Sequence, residues 1–271
     1  MLAGQPATAL TVVTLLIVGL IATIIIQYAL LRPHLEAAIG KVQPHYRIRE
    51  WLRTAMPLAI VDLAEVLFFN VDVIVLGLFL PPEQVAIYFA ATRLTQALAY
   101  IPYGVSASTA QKFAALGVAN RRGELQALVS KSAWLASGAT IAAALVLSLL
   151  AEPLLALFGS GYDQARLLVP LLCLGIVVAC LLGPGEDVLN MLGQERLCAI
   201  AFVIALGANI AAALVLVPLL GPMGAAFAVL IGFLVRGLLM SLFAYSRLGL
   251  FLPAFGARFL KPKKLSKERS S

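Results

Sequence analysis

The sequence predicts an all-α, polytopic membrane protein with about seven transmembrane helices. Of its 271 residues, 62% are hydrophobic and only 12% are charged, and the mean hydropathy is +0.98. Soluble domains carry about 45–50% apolar and about 25% charged residues. The apolar residues are grouped in runs of roughly 20, the length that a helix needs to cross the hydrocarbon. Helices satisfy their own backbone hydrogen bonds in lipid, so strands are not expected.

Seven apolar runs are candidates for membrane-spanning helices. The first is longer than the apolar core of a signal peptide and follows no basic residue, so we expect it to be retained as a span. Two basic, amphipathic segments, 45–55 and 108–132, predict helices at the membrane interface, the second with a turn at Asn120–Gly123. The seven runs are 8–31, 56–80, 85–106, 133–151, 165–192, 198–217 and 222–244.

The connectors between the runs fall into two classes that alternate along the chain. One class holds 17 of the 20 basic residues, and the other class holds none. Basic connectors stay on the cytoplasmic side of a membrane. We therefore expect the N-terminus outside and the C-terminus, with its basic tail, in the cytoplasm. The basic class is 32–55, 108–132, 193–197 and 245–271; the other is 1–7, 81–84, 152–164 and 218–221.

Several classes of chemistry lack a sequence signature here. The three cysteines, Cys173, Cys180 and Cys198, have no CxxC spacing and are interpreted as small packing residues. The two histidines, His34 and His45, stand in the first basic connector without a cysteine or acidic cluster. Common phosphate-binding, zinc-protease and hydrolase motifs are absent. No metal, no cofactor, no nucleic acid and no enzymatic activity are expected.

The charged residues inside the runs are the candidates for function, because a charge at mid-membrane usually faces a cavity or a partner. The second run contains Asp62, Glu65 and Asp72. On one helix these acids fall within roughly 80° of one another. The pattern predicts one polar stripe on an otherwise apolar helix.

The third run contains Arg93, and it is joined to the second by a short turn. Asp72 and Arg93 then lie at similar depths, roughly 12 Å below the outer surface. We expect an Asp72–Arg93 ion pair between neighbouring helices. The pair could hold the two helices together, line a transport path, or do both.

Two further features mark the later runs. Arg236 in the seventh run either lines the path or extends toward the cytoplasmic interface. In the fifth run, Gly183-Pro184-Gly185 precedes Glu186 and Asp187. Proline and glycine should break the helix there. Either the break lines a cavity, as broken helices of transporters do, or the span simply ends near 183.

Four groups of short motifs occur in order along the chain. Together they resemble the C-terminal part of polysaccharide and O-antigen flippases, in the superfamily that includes MATE drug exporters and lipid II flippases. The resemblance covers roughly 45–250, and Ala86 departs from it where the family tends to have glycine. The motifs lie at 51–58 with 72–77 and 88–93, at 102–112, at 157–162 with 189–194, and at Asn209 with 218–226.

The resemblance implies a fold and a function. The family fold has two six-helix lobes around a central cavity. Residues 45–250 would be the C-terminal lobe, 1–44 the last span of a missing N-terminal lobe with its linker, and 251–271 a basic cytoplasmic tail. Such transporters move undecaprenyl-pyrophosphate-linked oligosaccharide from the inner to the outer leaflet of the bacterial inner membrane, for surface polysaccharide and lipopolysaccharide biosynthesis. Arg93 and Arg236 would be the candidate phosphate contacts, since arginine suits bidentate binding of phosphate.

Other functions remain open from the sequence. The same fold serves exporters of drugs or small cations, and acids outnumber basic residues deep in the runs. A membrane-embedded glycan polymerase or ligase would need a large outer loop, which is missing. A non-transporting remnant or assembly partner is also possible. As half of a transporter, the chain is expected to associate with an N-terminal lobe or a second copy of itself.

Overall fold

The computed structural model describes residues 9–39, 46–159 and 161–254. All regular elements in these ranges are helical. The chain is therefore an all-α, multi-pass membrane protein, as the composition predicts. Predictions that concern residues 1–8, 40–45, 160 and 255–271 lie outside the described residues; they include most of the basic tail.

The chain divides into two compact units. The first unit, Met1–Trp51, contains helix α1 (Ala9–Ile39) and the start of α2 (Ile48–Phe68). All α1 side chains whose burial is described are exposed, among them Leu16 and Ile24. An apolar helix exposed on every side is suited to lipid rather than to water.

The second unit, Leu52–Ser271, contains the rest of α2 and eight further helices within the described residues. Helix α10 lies at its centre and packs against α3, α7 and α9. Small residues allow this approach: a Cβ on Gly224 would lie 2.1 Å from the carbonyl oxygen of Leu216. The further helices are α3 (Val71–Phe79), α4 (Pro82–Val118), α5 (Arg122–Leu149), α6 (Ala151–Ala156), α7 (Leu168–Leu181), α8 (Gly185–Met191), α9 (Glu195–Leu220) and α10 (Pro222–Phe243).

Five described helices are long and apolar enough to cross a membrane, against seven predicted runs. The runs 56–80 and 85–106 are helical but do not meet these criteria. The first of them breaks at Phe69–Asn70, which leaves α3 with nine residues. The second belongs to the 37-residue helix α4, which continues through Pro102 into the predicted interfacial segment. The five candidate spans are Val13–Leu35, Arg122–Leu149, Gln164–Leu181, Glu195–Leu220 and Pro222–Leu248.

The turn between α4 and α5 lies where the sequence predicts it. Helix α4 ends at Val118, Asn120 has a φ of 53°, and α5 begins at Arg122. Helix α5 thus starts eleven residues before the predicted run 133–151, so the basic segment and the apolar run form one helix. The orientation of the chain in the membrane stays a prediction.

The second unit has two clusters of buried side chains. One contains Phe68, Tyr88, Cys173, Cys180 and Phe233, and the other contains Phe113, Val129, Cys198, Phe202 and Leu252. All three cysteines are buried and free, in agreement with their interpretation as packing residues.

Candidate functional site

A cavity of about 160 Å³ lies in the middle of the second unit. Helices α2, α4, α5, α7, α8 and α10 each contribute to its wall. It is lined by Glu65, Glu186, Asp187 and Arg236 among its charged residues. The cavity therefore brings together acids and one arginine that are up to 171 residues apart in sequence.

The helix break forms one side of this cavity. Helix α7 ends at Leu181 and α8 begins at Gly185, and Gly183 between them has a φ of +91°. A Cβ on Gly183 would lie 2.2 Å from the carbonyl oxygen of Leu252, so glycine is required by both conformation and space. The break 183–187 lines the cavity. The candidate span itself ends at Leu181, so neither of the two alternatives from the sequence is excluded.

Two of the cavity acids accept hydrogen bonds from hydroxyl groups of α4. The Tyr103 hydroxyl donates to a Glu65 carboxylate oxygen. The Ser106 hydroxyl donates to Asp187 over 2.6 Å. Tyr103 and Ser106 stand one helical turn apart, just after Pro102, so one face of α4 holds both acids.

Arg236 extends over aromatic rings at the edge of the cavity. Its guanidinium carbon lies 5.7, 5.0 and 5.1 Å from the ring centroids of Phe68, Phe202 and Phe233. Among the described residues, no carboxylate oxygen lies within 4.0 Å of its nitrogens; the ion pairs there join other residues. A half-buried arginine is thus held by cation–π contacts and keeps its hydrogen-bond donors for another group.

Asp72 lies apart from these acids, beside a smaller cavity of about 40 Å³. It is 3% exposed. It accepts hydrogen bonds from the Tyr88 hydroxyl over 2.5 Å and from the backbone N–H of Val73 over 2.9 Å. The two cavities share Phe69, Ala99, Ile176 and Phe233 in their walls.

The predicted Asp72–Arg93 ion pair is wrong. Arg93 is exposed, donates to the Gln96 side chain over 2.8 Å and stacks 4.2 Å above the Phe89 ring. Asp72 is buried and bonded to Tyr88 instead. The two residues do lie on neighbouring helices, α3 and α4, but Asp72 is buried whereas Arg93 is exposed. Arg93 lines neither of the two cavities.

The predicted single stripe of acids is also wrong. The helix breaks at Phe69–Asn70, where the Asn70 side chain donates to the Val66 carbonyl oxygen over 2.7 Å. The break divides the acids: Glu65 faces the larger cavity and Asp72 the smaller one. Asp62 is exposed and lines neither cavity. A stripe computed for one continuous helix does not continue across a break.

The sequence analysis did not identify Tyr103, Ser106 or the three phenylalanines around Arg236. The hydroxyls have a partial signal, because Pro102 removes a backbone hydrogen bond of α4, and freed backbone groups within a membrane are tolerated where they are buried in protein or line a cavity. The phenylalanines come from α2, α9 and α10 and carry no local signal. Asn209, which the sequence analysis named in the last motif group, is buried: its Oδ1 atom has no hydrogen-bond partner among the described residues, and its amide lies 3.5 Å from the Phe68 carbonyl oxygen.

Three solved structures share this fold. A multidrug resistance MATE family transporter of the MOP superfamily, in an outward-facing conformation, matches with a TM-score of 0.65 and 18% identity over 79% of this chain. A MATE in the bent conformation matches with a TM-score of 0.63 and 19% identity over 79%. A MOP superfamily transporter from Pyrococcus furiosus, for which a binding pocket of reverse polarity suggests a different function, matches with a TM-score of 0.65 and 17% identity over 78%.

The chain spans about half the length of these structures, since it covers 48% of each. No curated protein matches it significantly. The MatE family model matches residues 57–215, which include α3, α4, α5, α7 and α8 and the larger cavity's helix break. The chain therefore belongs to the MatE family of membrane transporters.

Proposed function

We propose that the chain forms one lobe of a transporter that flips undecaprenyl-pyrophosphate-linked oligosaccharide from the inner to the outer leaflet. The observation that carries this proposal is the environment of the Arg236 guanidinium group. Arg236 lies at the edge of the larger cavity, and among the described residues no carboxylate oxygen lies within 4.0 Å of its guanidinium nitrogens. A pyrophosphate that crosses a membrane needs such a cation, and the arginine fork binds phosphate oxygens in pairs.

Two of the three acids that line this cavity support the role, because hydroxyl groups of α4 hold their carboxylates. Glu65 and Asp187 accept hydrogen bonds from Tyr103 and Ser106. These contacts hold two carboxylates toward α4 rather than toward Arg236. The third acid, Glu186, lines the same cavity but makes no ion pair with Arg236 within 4.0 Å among the described residues, so the guanidinium can contact a ligand.

The length of the chain supports an assembly of two lobes. It covers 48% of each of the solved transporters that share its fold. A cavity of about 160 Å³ accommodates only a part of a lipid-linked oligosaccharide. A charged side chain left facing lipid costs roughly 2.5–3.5 kcal/mol on insertion scales. We propose that an N-terminal lobe, or a second copy of this chain, completes the path.

An exporter of organic cations is the second candidate, and one observation favours it. The larger cavity contains three carboxylate side chains and only one arginine. A positively charged substrate would be attracted by this excess of acids. The two candidates therefore make opposite predictions about Arg236.

The test replaces Arg236 in cells that depend on this gene for surface-glycan export. Arg236→Gln should lower export roughly 10- to 100-fold, since a hydrogen bond to a charged group contributes about 1.5–3 kcal/mol. Arg236→Lys should restore part of it, because lysine keeps the charge without the fork. Arg166→Gln is the control: this arginine is exposed and paired with Glu152 at 3.3 Å. Arg93 stays a second predicted phosphate contact, to be replaced in parallel.

Protein abundance and uptake of a cationic dye are measured in the same strains. Unchanged glycan export by Arg236→Gln at normal abundance would contradict the flippase proposal. Dye efflux that rises when the arginine is removed would support the exporter instead.

A further inference from the structure

A basic pocket of about 350 Å³ lies outside both cavities described above. It is formed by the end of α4, the start of α5, the end of α8 and the segment that follows α10. Its polar lining consists of Asn120, Arg122 and Arg247, and none of its described lining residues is acidic. Its remaining wall is apolar and includes Val118 and Leu192. The larger cavity has the opposite balance, with acids in excess.

The pocket lies where the apolar spans end. Arg122 is the first residue of one candidate span, and Arg247 is the next-to-last residue of another, Pro222–Leu248. The two arginines therefore belong to the boundary between hydrocarbon and headgroups. Val118, the last residue of α4, is 91% exposed beside them.

Neither arginine forms an ion pair with an acid of the described residues. The nearest acid in sequence, Glu124, pairs with Arg121 over 3.2 Å. Within the described part of the chain, no ion pair involves Arg122 or Arg247. A Cβ built on Gly249 would lie 3.8 Å from the Arg122 guanidinium, so this side chain extends across the pocket toward the segment that carries Arg247.

Two hydrogen bonds fix the backbone segments that carry the two arginines. The Gln126 side chain donates to the Phe251 carbonyl oxygen over 2.7 Å and accepts from the Phe251 N–H over 2.8 Å. These two bonds fasten the segment after α10 to α5. The backbone segments that carry Arg122 and Arg247 are therefore held beside each other, and both side chains are exposed and accessible to a ligand.

We propose that this pocket binds the headgroup phosphate of an anionic phospholipid from the surrounding leaflet. Two unpaired arginines at the membrane interface match a phosphodiester that carries net negative charge. The apolar wall continues toward the hydrocarbon and would contact the start of the acyl chains. The site is independent of the transport path, so it does not rest on the proposed substrate.

The test measures phosphatidylglycerol binding to the full chain in detergent by native mass spectrometry. Phosphatidylglycerol should bind more tightly than phosphatidylcholine. Each arginine should contribute about fivefold in affinity, which corresponds to about 1 kcal/mol per basic residue near an anionic surface. The double variant Arg122→Gln/Arg247→Gln should therefore bind about 25-fold more weakly, and Arg122→Lys/Arg247→Lys should lie between it and the native chain.

The matched control is Arg121→Gln/Lys131→Gln, which removes the same charge beside the pocket but not in it. Its affinity should stay within about twofold of the native value. Equal weakening by both double variants would overturn the proposal in favour of general surface electrostatics. Displacement of phosphatidylglycerol by millimolar inorganic phosphate would identify a free-phosphate site and would also overturn it. Melting temperatures of all variants establish that each is folded.

Discussion

Replacing Gly183 with alanine should destabilise the protein more than the same change at another glycine with a similar backbone. Gly183 has a φ of +91°, and an added Cβ would lie 2.2 Å from the Leu252 carbonyl oxygen and 2.7 Å from its carbon. Gly193, at the other end of α8, has a φ of +73° and has nothing within 4 Å of such a Cβ. Comparing the two alanine variants separates the free-energy cost of the backbone conformation from the free-energy cost of the close contact.

Both substitutions incur the left-handed backbone penalty of roughly 1–2 kcal/mol. Only Gly183→Ala adds overpacking against a backbone atom, which costs about 1–3 kcal/mol. At about 2–4 °C per kcal/mol, Gly183→Ala should melt roughly 2–12 °C below Gly193→Ala. A dye that fluoresces on reaction with thiols measures this, because the three cysteines are buried and react on unfolding.

The result that refutes this reasoning is equal melting of the two variants. It would mean that the segment after α10 moves away from the helix break at no cost. The break would then not be held in place by Leu252, and the shape of the larger cavity would not depend on this contact.

Two further predictions follow from the buried polar contacts and from the charges. Tyr88→Phe should lower the free energy of unfolding by about 1–3 kcal/mol, because it leaves the Oδ2 atom of the buried Asp72 carboxylate without its donor while Oδ1 keeps the Val73 N–H. Tyr103→Phe, at a half-exposed site, should lower it by less than about 1 kcal/mol. The same dye assay compares the two variants, and equal shifts in melting temperature would contradict the argument. One class of connectors holds 17 of the 20 basic residues, which predicts that this class lies in the cytoplasm. A reporter that is active only in the cytoplasm should therefore be active at the C-terminus and inactive in the loop 152–164. Activity of the reporter in that loop would contradict the predicted orientation.

Much of the architecture is predictable because it depends on length and hydropathy. Five of the seven apolar runs correspond to helices that can cross a membrane, and the turn at Asn120 was located by its residues alone. The division of 56–80 into two helices was not predictable in this way. The Asn70 side chain bonds to the Val66 carbonyl oxygen at the break, and its flanking residues are as apolar as those of a continuous helix.

Some of the residues that line the larger cavity could be predicted from the sequence, but Asp62, Asp72 and Arg93 do not line it, and the contacts were not predictable. Glu65, Arg236 and the segment 183–187 do line one cavity. The prediction for the partner of Asp72 is wrong because it compares only the depths of Asp72 and Arg93 in the membrane. It does not consider which face of α4 is turned toward α3. The rotation of α4 about its own axis turns Tyr88 toward Asp72 and Arg93 away from it, and it is set by the packing of α4 against α5, α7 and α8.

The central claim is that the larger cavity takes up the pyrophosphate headgroup beside Arg236. It is tested most directly by protection of a single cysteine at Ala99, which lines both cavities, with the three native cysteines replaced by alanine. Ala119→Cys, exposed on the turn after α4, is the matched control. The account predicts that lipid-linked oligosaccharide slows labelling at position 99 but not at position 119, and that Arg236→Gln abolishes this protection. Unaltered labelling at position 99, or protection by a cationic dye that persists in Arg236→Gln, would contradict it.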